Sequence, residues 1–338
     1  MKIAIFAYSR QGCCTAAKIT ALLETDLIQK FTLSRFEAAD FEILKSQDPE
    51  FYGELFRNMD ALIFVGACGI AVRNIAAFVK SKCSDPAVLC VDELGKYVIP
   101  ILSGHIGGGN DLARKLAGKM NAEAVITTAT DINHRFSVDN WAAKNRMIID
   151  DMSIAKKISA QILEKDVKMC ADFDLPEYPQ GVTAGNQGRL GIYITWSKKK
   201  PFDETLRLIP QILHIGIGCR KNTPKEKIKS VVEQVVLEQN IDERAIKYAA
   251  SIDLKSQEKG LLEFCRKKQW EIQFYSAEEL QNVEGSFSRS EFVQKITGVD
   301  NVCERAALKN ANRLIVPKTA RDGVTVAIAA EKVEVNFG

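Results

Sequence analysis

Long apolar runs are missing from this 338-residue sequence, and none approaches the roughly 18–20 residues that span a bilayer. The opening stretch MKIAIFAYSRQGC is too brief for the apolar core of a signal peptide. It reads instead as a first β-strand, Lys2 to Tyr8, and the chain is expected in the cytoplasm. No C-x-x-C occurs. The nine cysteines are scattered, Cys13-Cys14 is their only close pair, and neither a zinc site nor a redox pair is signalled. They read as small buried hydrophobes in a reducing compartment, and no metal site is expected. A block of one charge is absent too: the net charge is +3, with 15 basic against 15 acidic residues in 1–135, 11 against 10 in 136–210 and 20 against 18 in 211–338. Nucleic-acid binding is set aside on that ground. What remains, 46% hydrophobic and 26% charged, is an ordinary globular composition with length for two or three cores.

Residues 1–135 alternate short β-branched runs with helical patterns. Strands are expected at Ile3–Ala7, Ala61–Val65, Ala87–Val91, Val98–Leu102 and Ala124–Thr127, and helices at Thr15–Glu24, Pro49–Arg57, Ile70–Val79 and Asp111–Lys119. Such alternation implies an α/β fold with a mainly parallel N-terminal sheet. Residues 136–211 are less regular: helices near Val138–Ala143 and Ser153–Leu163, a loop-rich DFDLPEYPQGVTAGNQGRLG, then a strand at Leu190–Thr195. They read as a small linking module. From Ile212 to 338 the strand–glycine–helix pattern renews itself as a second α/β domain. There Thr223 is the expected N-cap of a capping box with Pro224 and Glu226, and further boxes are expected at Ser276–Glu279 and Ser288–Glu291. A turn is expected at Asp322-Gly323.

Three turns can carry chemistry. In GACGIAVRN, Gly66 and Gly69 let backbone N–H groups approach an anion at a helix start, and Arg73 can pair with a carboxylate. It is not a P-loop, which needs G-x-x-x-x-G-K-[ST]. In SGHIGGGND, three successive glycines precede a helix, more than a simple turn requires. Ser103 and His105 open the turn, Gly107, Gly108 and Gly109 offer N–H groups, and Asn110 can cap. His105, one of three histidines, is expected beside the positive helix end, which favours the neutral base. Both readings of this turn, a tight strand-to-helix connection or a site, stay open. In GIGCRKNTP, Gly218, Arg220 and Lys221 sit at a third helix start, without the third glycine of a dinucleotide fingerprint. Both glycine clusters of the first domain are expected at strand carboxyl ends on one rim, sharing a pocket. The ligand these turns suit is organic and anionic.

The chain resembles the cobalt-precorrin-5A hydrolases of anaerobic cobalamin biosynthesis. The resemblance runs through VGACGIAVRNIAAFVKSKCSDPAVLCVDELGKYVIPILSGHIGGGNDLARKLA and AVITTATDIN, then HIGIGCRKNTP, GVDNVCERAAL and LIVPKTARDGVTVAIA. The middle contributes little beyond SVDNWA. Ala77 stands in place of a proline, Gly109 in place of alanine and His134 in place of glycine. The resemblance implies opening of a δ-lactone on a contracted cobalt-corrinoid ring, release of acetaldehyde and formation of cobalt-precorrin-5B. Cobalt arrives inside the substrate, so no cofactor of the protein's own is expected. The implied partner is the small-molecule corrinoid. Neither nucleic acid nor membrane is implied, and other enzymes of the pathway or a second copy are left open. On this reading His105 activates water, Asp111 orients its ring, and Gly107 to Gly109 receive the oxyanion. Arg73, Arg220, Lys221 and Lys318 take substrate carboxylates. The alternatives are a non-catalytic corrinoid carrier or a nucleotide-binding enzyme, and both nucleotide fingerprints fail.

Overall fold

A computed structural model describes residues 1–23, 27–45, 48, 50–81, 84–105 and 107–337. Glu24 and Pro49, at the ends of expected helices, and Ile106 lie outside them. The chain divides into two compact units, Met1–Asn140 and Trp141–Gly338. No helix among the described residues is long and apolar enough to cross a membrane.

The first unit runs β1 (Lys2–Ala7), α1 (Arg10–Leu22), β2 (Leu27–Thr32), β3 (Glu42–Ile43), α2 (Phe51–Asn58), β4 (Ala61–Val65), α3 (Cys68–Ile75), β5 (Ala87–Val91), β6 (Tyr97–Leu102), α4 (Gly109–Met120), β7 (Glu123–Ala124) and α5 (Ala129–Ile132). Next, α6 (Val138–Lys144) spans the boundary between the units. The strands form one sheet in the order β3-β2-β1-β4-β5-β6-β7. β4 and β5 are buried along their whole length, as continuous apolar runs in a sheet covered on both faces should be. Ala16, Ile19 and Leu116, from α1 and α4, cover one face. On the other, α2 and α3 close over an aromatic cluster in which Phe6 stacks on Phe64 at 4.7 Å. The last expected strand stops at Ala124, because the Ile126 N–H turns back to the Ala124 carbonyl.

One register decides where the turns go. β5 pairs with β4 in parallel but with β6 antiparallel. Only five residues join β5 to β6, and Asp92 gathers the N–H groups of Leu94, Lys96 and Tyr97. So short a link makes a hairpin, whereas a parallel crossover needs a dozen residues or more. The Gly66 and Ser103 turns therefore leave from opposite rims, which corrects the expectation of one rim and one shared pocket.

The second unit continues with β8 (Met147–Ile149), α7 (Met152–Glu164), β9 (Val167–Ala171), β10 (Val182–Ala184), β11 (Leu190–Ile194) and β12 (Glu204–Pro210). Then come β13 (Leu213–Cys219), α8 (Lys225–Glu238), β14 (Ile246–Ile252), α9 (Lys259–Lys268), β15 (Glu271–Tyr275), α10 (Ala277–Gln281), α11 (Glu291–Thr297), α12 (Val302–Leu308), β16 (Arg313–Arg321) and β17 (Val324–Ala330). They make two sheets, β10-β9-β11-β12-β8 and β15-β14-β13-β17-β16. Buried Arg207 of the first bonds Asp150 at 3.0 Å and Asp242 at 3.0 Å, and Ile209 shares a core with Leu213 and Val232. In the second sheet β13, β14 and β15 are parallel, while β17 and β16 close it as an antiparallel hairpin. Asp322 and Gly323 turn that hairpin with φ of 49° and 79°, the left-handed pair that such two-residue turns require.

The Ser276–Glu279 capping box forms. The other two do not. Thr223 Oγ1 donates to the Arg220 carbonyl and α8 starts after Pro224. Ser290 rather than Ser288 caps α11, because Ser288 is drawn to Glu304.

Candidate functional site

The SGHIGGGND turn is built from its own backbone. The Gly108 N–H bonds the His105 carbonyl at 2.8 Å, Gly109 bonds Ser103 at 3.0 Å, and Asn110 bonds Gly104 at 2.8 Å. The N–H groups of Gly108 and Gly109, expected to receive an oxyanion, are thus already engaged. Packing demands glycine at 107 and leaves only tight room for a side chain at 109. A Cβ on Gly107 would stand 2.4 Å from that of Ser103, and one on Gly109 would stand 3.0 Å from the Leu102 carbonyl oxygen. Gly108, with φ of 75°, is itself the N-cap residue. Asn110 is not the cap. It is buried in the first turn of α4 and donates to Thr128 Oγ1 at 3.0 Å and to Asp131 at 2.9 Å.

His105 is held at both ring nitrogens. Nε2 lies 2.9 Å from Asp131, and Nδ1 lies 3.1 Å from Ser137 Oγ and 3.3 Å from Asp139. Burial alone would lower its pKa, but the bonds and charges of Asp139 and Asp131 outweigh burial and raise it above the ordinary value. The expectation that the helix end sets the His105 pKa is therefore corrected: Asp139 and Asp131 move it up rather than down. Asp111 does not orient the ring either, since it pairs with Arg114 at 3.2 Å. Arg114 also reaches Asp131. Thr128, Asp131, Ser137 and Asp139 were missed as partners; their only signal was their place within TATD and SVDNWA. Ser103, with φ of 54°, has a buried hydroxyl without a hydrogen-bond partner among the described residues.

On the opposite rim, Gly66 passes from β4 toward α3, its N–H on the Val91 carbonyl at 2.8 Å. Gly69 leaves open space, with Arg73 Nη1 3.9 Å from where its Cβ would stand, and Arg73 is exposed. Tyr8 and Tyr52 share a hydrogen bond of 3.0 Å beside them, joined by Asn74.

The third turn opens into a cavity. Where β13 and β14 end, two contiguous hollows of about 830 Å³ and 580 Å³ share Lys221, Ile252, Lys255, Ile296 and Thr297. Gly218, Arg220, Lys221 and Lys318, singled out separately in the sequence, all line the smaller one. Arg220 is fixed by its N–H on the Gly323 carbonyl at 3.1 Å and by Thr223 on its own carbonyl at 2.8 Å. Its stem lies over Gly323, where a Cβ would come 2.9 Å from Arg220 Cδ. Gly218 leaves room for Thr325, whose Oγ1 would be 2.5 Å from a Cβ there. Lys255, also in the wall, pairs with Glu258 at 3.3 Å. No carboxylate among the described residues pairs with Arg220, Lys221 or Lys318. Apolar Ile252, Val293, Val302 and Val324 lie in the same wall, together with polar Asn301, Thr325 and Asp322. Unpaired cations beside apolar side chains suit an anion with a broad greasy body.

Two family descriptions match this chain, Cobalamin synthesis G N-terminal over residues 50–131 and Cobalamin synthesis G C-terminus over residues 213–329. A cobalt-precorrin-5A hydrolase of Salmonella typhimurium is 32% identical, covering 96% of this chain and 97% of that protein. The chain belongs to the cobalt-precorrin-5A hydrolase family. A second cobalt-precorrin-5A hydrolase, from Priestia megaterium, is 28% identical over 96% of this chain and 94% of its own length. Among solved structures, a cobalamin biosynthesis protein G homologue from Sulfolobus solfataricus is 23% identical, covers 98% of this chain and 97% of its own, and has a TM-score of 0.42. The C-terminal family match contains the Gly218–Lys221 turn and Lys318, and the N-terminal match contains both glycine turns of the first unit.

Proposed function

We infer that this member of the cobalt-precorrin-5A hydrolase family adds one water across the δ-lactone of its cobalt-bearing substrate and releases acetaldehyde, leaving cobalt-precorrin-5B. One observation carries the binding half of this reading. Arg220, Lys221 and Lys318 face a partly apolar cavity and form no ion pair with a carboxylate among the described residues. A corrinoid supplies the matching shape: a broad apolar ring edged with acetate and propionate groups. Charge-assisted bonds to those groups are the strong kind. Lactone opening also creates one more carboxylate, so fixed positive charge stabilises the product-like side of the barrier.

His105 enters as a lock on the Ser103–Asp111 turn, because its ring nitrogens are already held by Asp131 and Ser137. Arg73 is exposed on the other rim of the first sheet and remains a proposed carboxylate contact. Cobalt belongs to the substrate, no further cofactor is proposed, and the reaction is placed in the cytoplasm with the other steps of the pathway.

Incubating the purified protein with cobalt-precorrin-5A and measuring acetaldehyde tests this directly. One acetaldehyde per substrate consumed is expected, over many turnovers. Tight binding of the corrinoid with no acetaldehyde would make the protein a carrier instead.

A further inference from the structure

Lys318 reaches the cavity from an irregular piece of strand. Between Val316 and Thr319 three steps of β16 face two of β17, since Val316 pairs with Ile328 and Thr319 with Val326. One residue is extra, which makes Pro317-Lys318 a β-bulge. A bulge leaves a backbone N–H outside the ladder, and a buried N–H needs an acceptor. The acceptor here is a side chain from α12: Lys318 N–H donates to Glu304 Oε1 at 2.7 Å.

Glu304 is 1% exposed, and both of its carboxylate oxygens are occupied. Oε1 also accepts from Ser288 Oγ at 3.1 Å, while Oε2 accepts from the Ser288 N–H at 2.9 Å and from Asn301 Nδ2. Every one of these donors is neutral. No cation among the described residues forms an ion pair with this buried carboxylate. Burying a charge is unfavourable unless it is compensated, and here the four hydrogen bonds from the Lys318 N–H, the Ser288 hydroxyl and N–H and the Asn301 amide supply that compensation. Glu304 stays out of the cavity wall, which is formed by its neighbours Asn301, Val302 and Cys303.

We propose that Glu304 is a positioning residue for substrate binding: it fixes the Pro317-Lys318 bulge and so aims the Lys318 ammonium at a substrate carboxylate. This rests on the reading of the cavity as the corrinoid site. Glutamine at this position would keep the size but turn one acceptor into a donor facing an N–H. The bulge then shifts, and the ammonium shifts with it.

The test is a cycle of Lys318→Met, Glu304→Gln and the double variant, with KM and kcat for acetaldehyde release measured on folded protein. Lys318→Met is expected to raise KM about tenfold, the scale of one lost charge-assisted bond. Glu304→Gln is expected to raise KM several-fold with kcat nearly kept, and to add nothing once Lys318 is gone. A purely structural Glu304 would lower thermal stability and leave KM at the parent value, which overturns the proposal. So would a Glu304→Gln effect that multiplies in full with that of Lys318→Met. Should Glu304→Gln not fold, Glu304→Asp keeps the charge, draws it back by one methylene and must raise KM in the same Lys318-dependent way. If Lys318→Met itself leaves KM unchanged, the cavity reading fails rather than the role of Glu304.

Discussion

Two glycine-bearing turns of this enzyme leave a strand and enter a helix, Ser103–Asp111 after β6 and Gly218–Thr223 after β13, and their polar groups meet different fates. In the first, N–H groups fold back onto carbonyls of the same turn, and the histidine is fastened at both nitrogens. In the second, two cations stand at a cavity with no carboxylate partner among the described residues. The glycines differ in the same way. Gly107 and Gly109 let one piece of backbone pack against another, whereas Gly218 leaves room for the Thr325 hydroxyl in a cavity wall. A turn whose backbone N–H groups and histidine are already bonded holds its shape, even with the Ser103 hydroxyl left without a partner among the described residues. One that leaves like charges unsatisfied is prepared for a ligand.

The largest expected effect is on the first turn. Asp131 serves His105, Asn110 and Arg114 with one carboxylate that is largely buried. Removing it leaves the His105 ring and the Asn110 amide each short of a partner in a largely buried place, so Asp131→Ala should lower stability by about 3–5 kcal/mol. Chemical denaturation measures this, with acetaldehyde release per folded molecule recorded alongside. A variant that keeps its stability and loses turnover would break the comparison and return this turn to the chemical step.

A smaller effect is identified by its sign. His105 titrates above the ordinary histidine value in the folded protein, because Asp139 and Asp131 outweigh burial. A raised folded pKa means that the stabilisation is complete below the unfolded value, about 6.5, and is lost as pH rises through the folded one. The stability difference between the parent and His105→Gln should therefore shrink from pH 6 toward pH 9. A difference that grows with pH would mean that the ring is held neutral, as a base would be.

Much of the fold was legible because burial on both faces writes itself as a continuous apolar run. β4 and β5 lie where Ala61–Val65 and Ala87–Val91 were expected. β2 escaped because it is exposed at alternate positions and carries Gln29 and Lys30. The rim of the Ser103 turn was legible in principle: five residues between β5 and β6 admit a hairpin and no crossover. The partners of His105 were not, because Asp131 and Asp139 are brought to it by chain folding over 26 and 34 residues. Arg220, Lys221 and Lys318 were picked out singly as cations near glycine turns. That they share one cavity follows from the β16–β17 hairpin returning beside β13, a pairing across about a hundred residues that local pattern does not carry.

The central claim, that the C-terminal cavity holds the corrinoid, is tested most directly by steady-state acetaldehyde release from the Arg220→Met, Lys221→Met double variant. Both side chains are exposed and outside any ion pair among the described residues, so stability should stay within about 0.5 kcal/mol of the parent. KM for cobalt-precorrin-5A should rise by about tenfold or more, as loss of charge-assisted contacts requires. A parent-like KM in that well-folded variant would contradict the account.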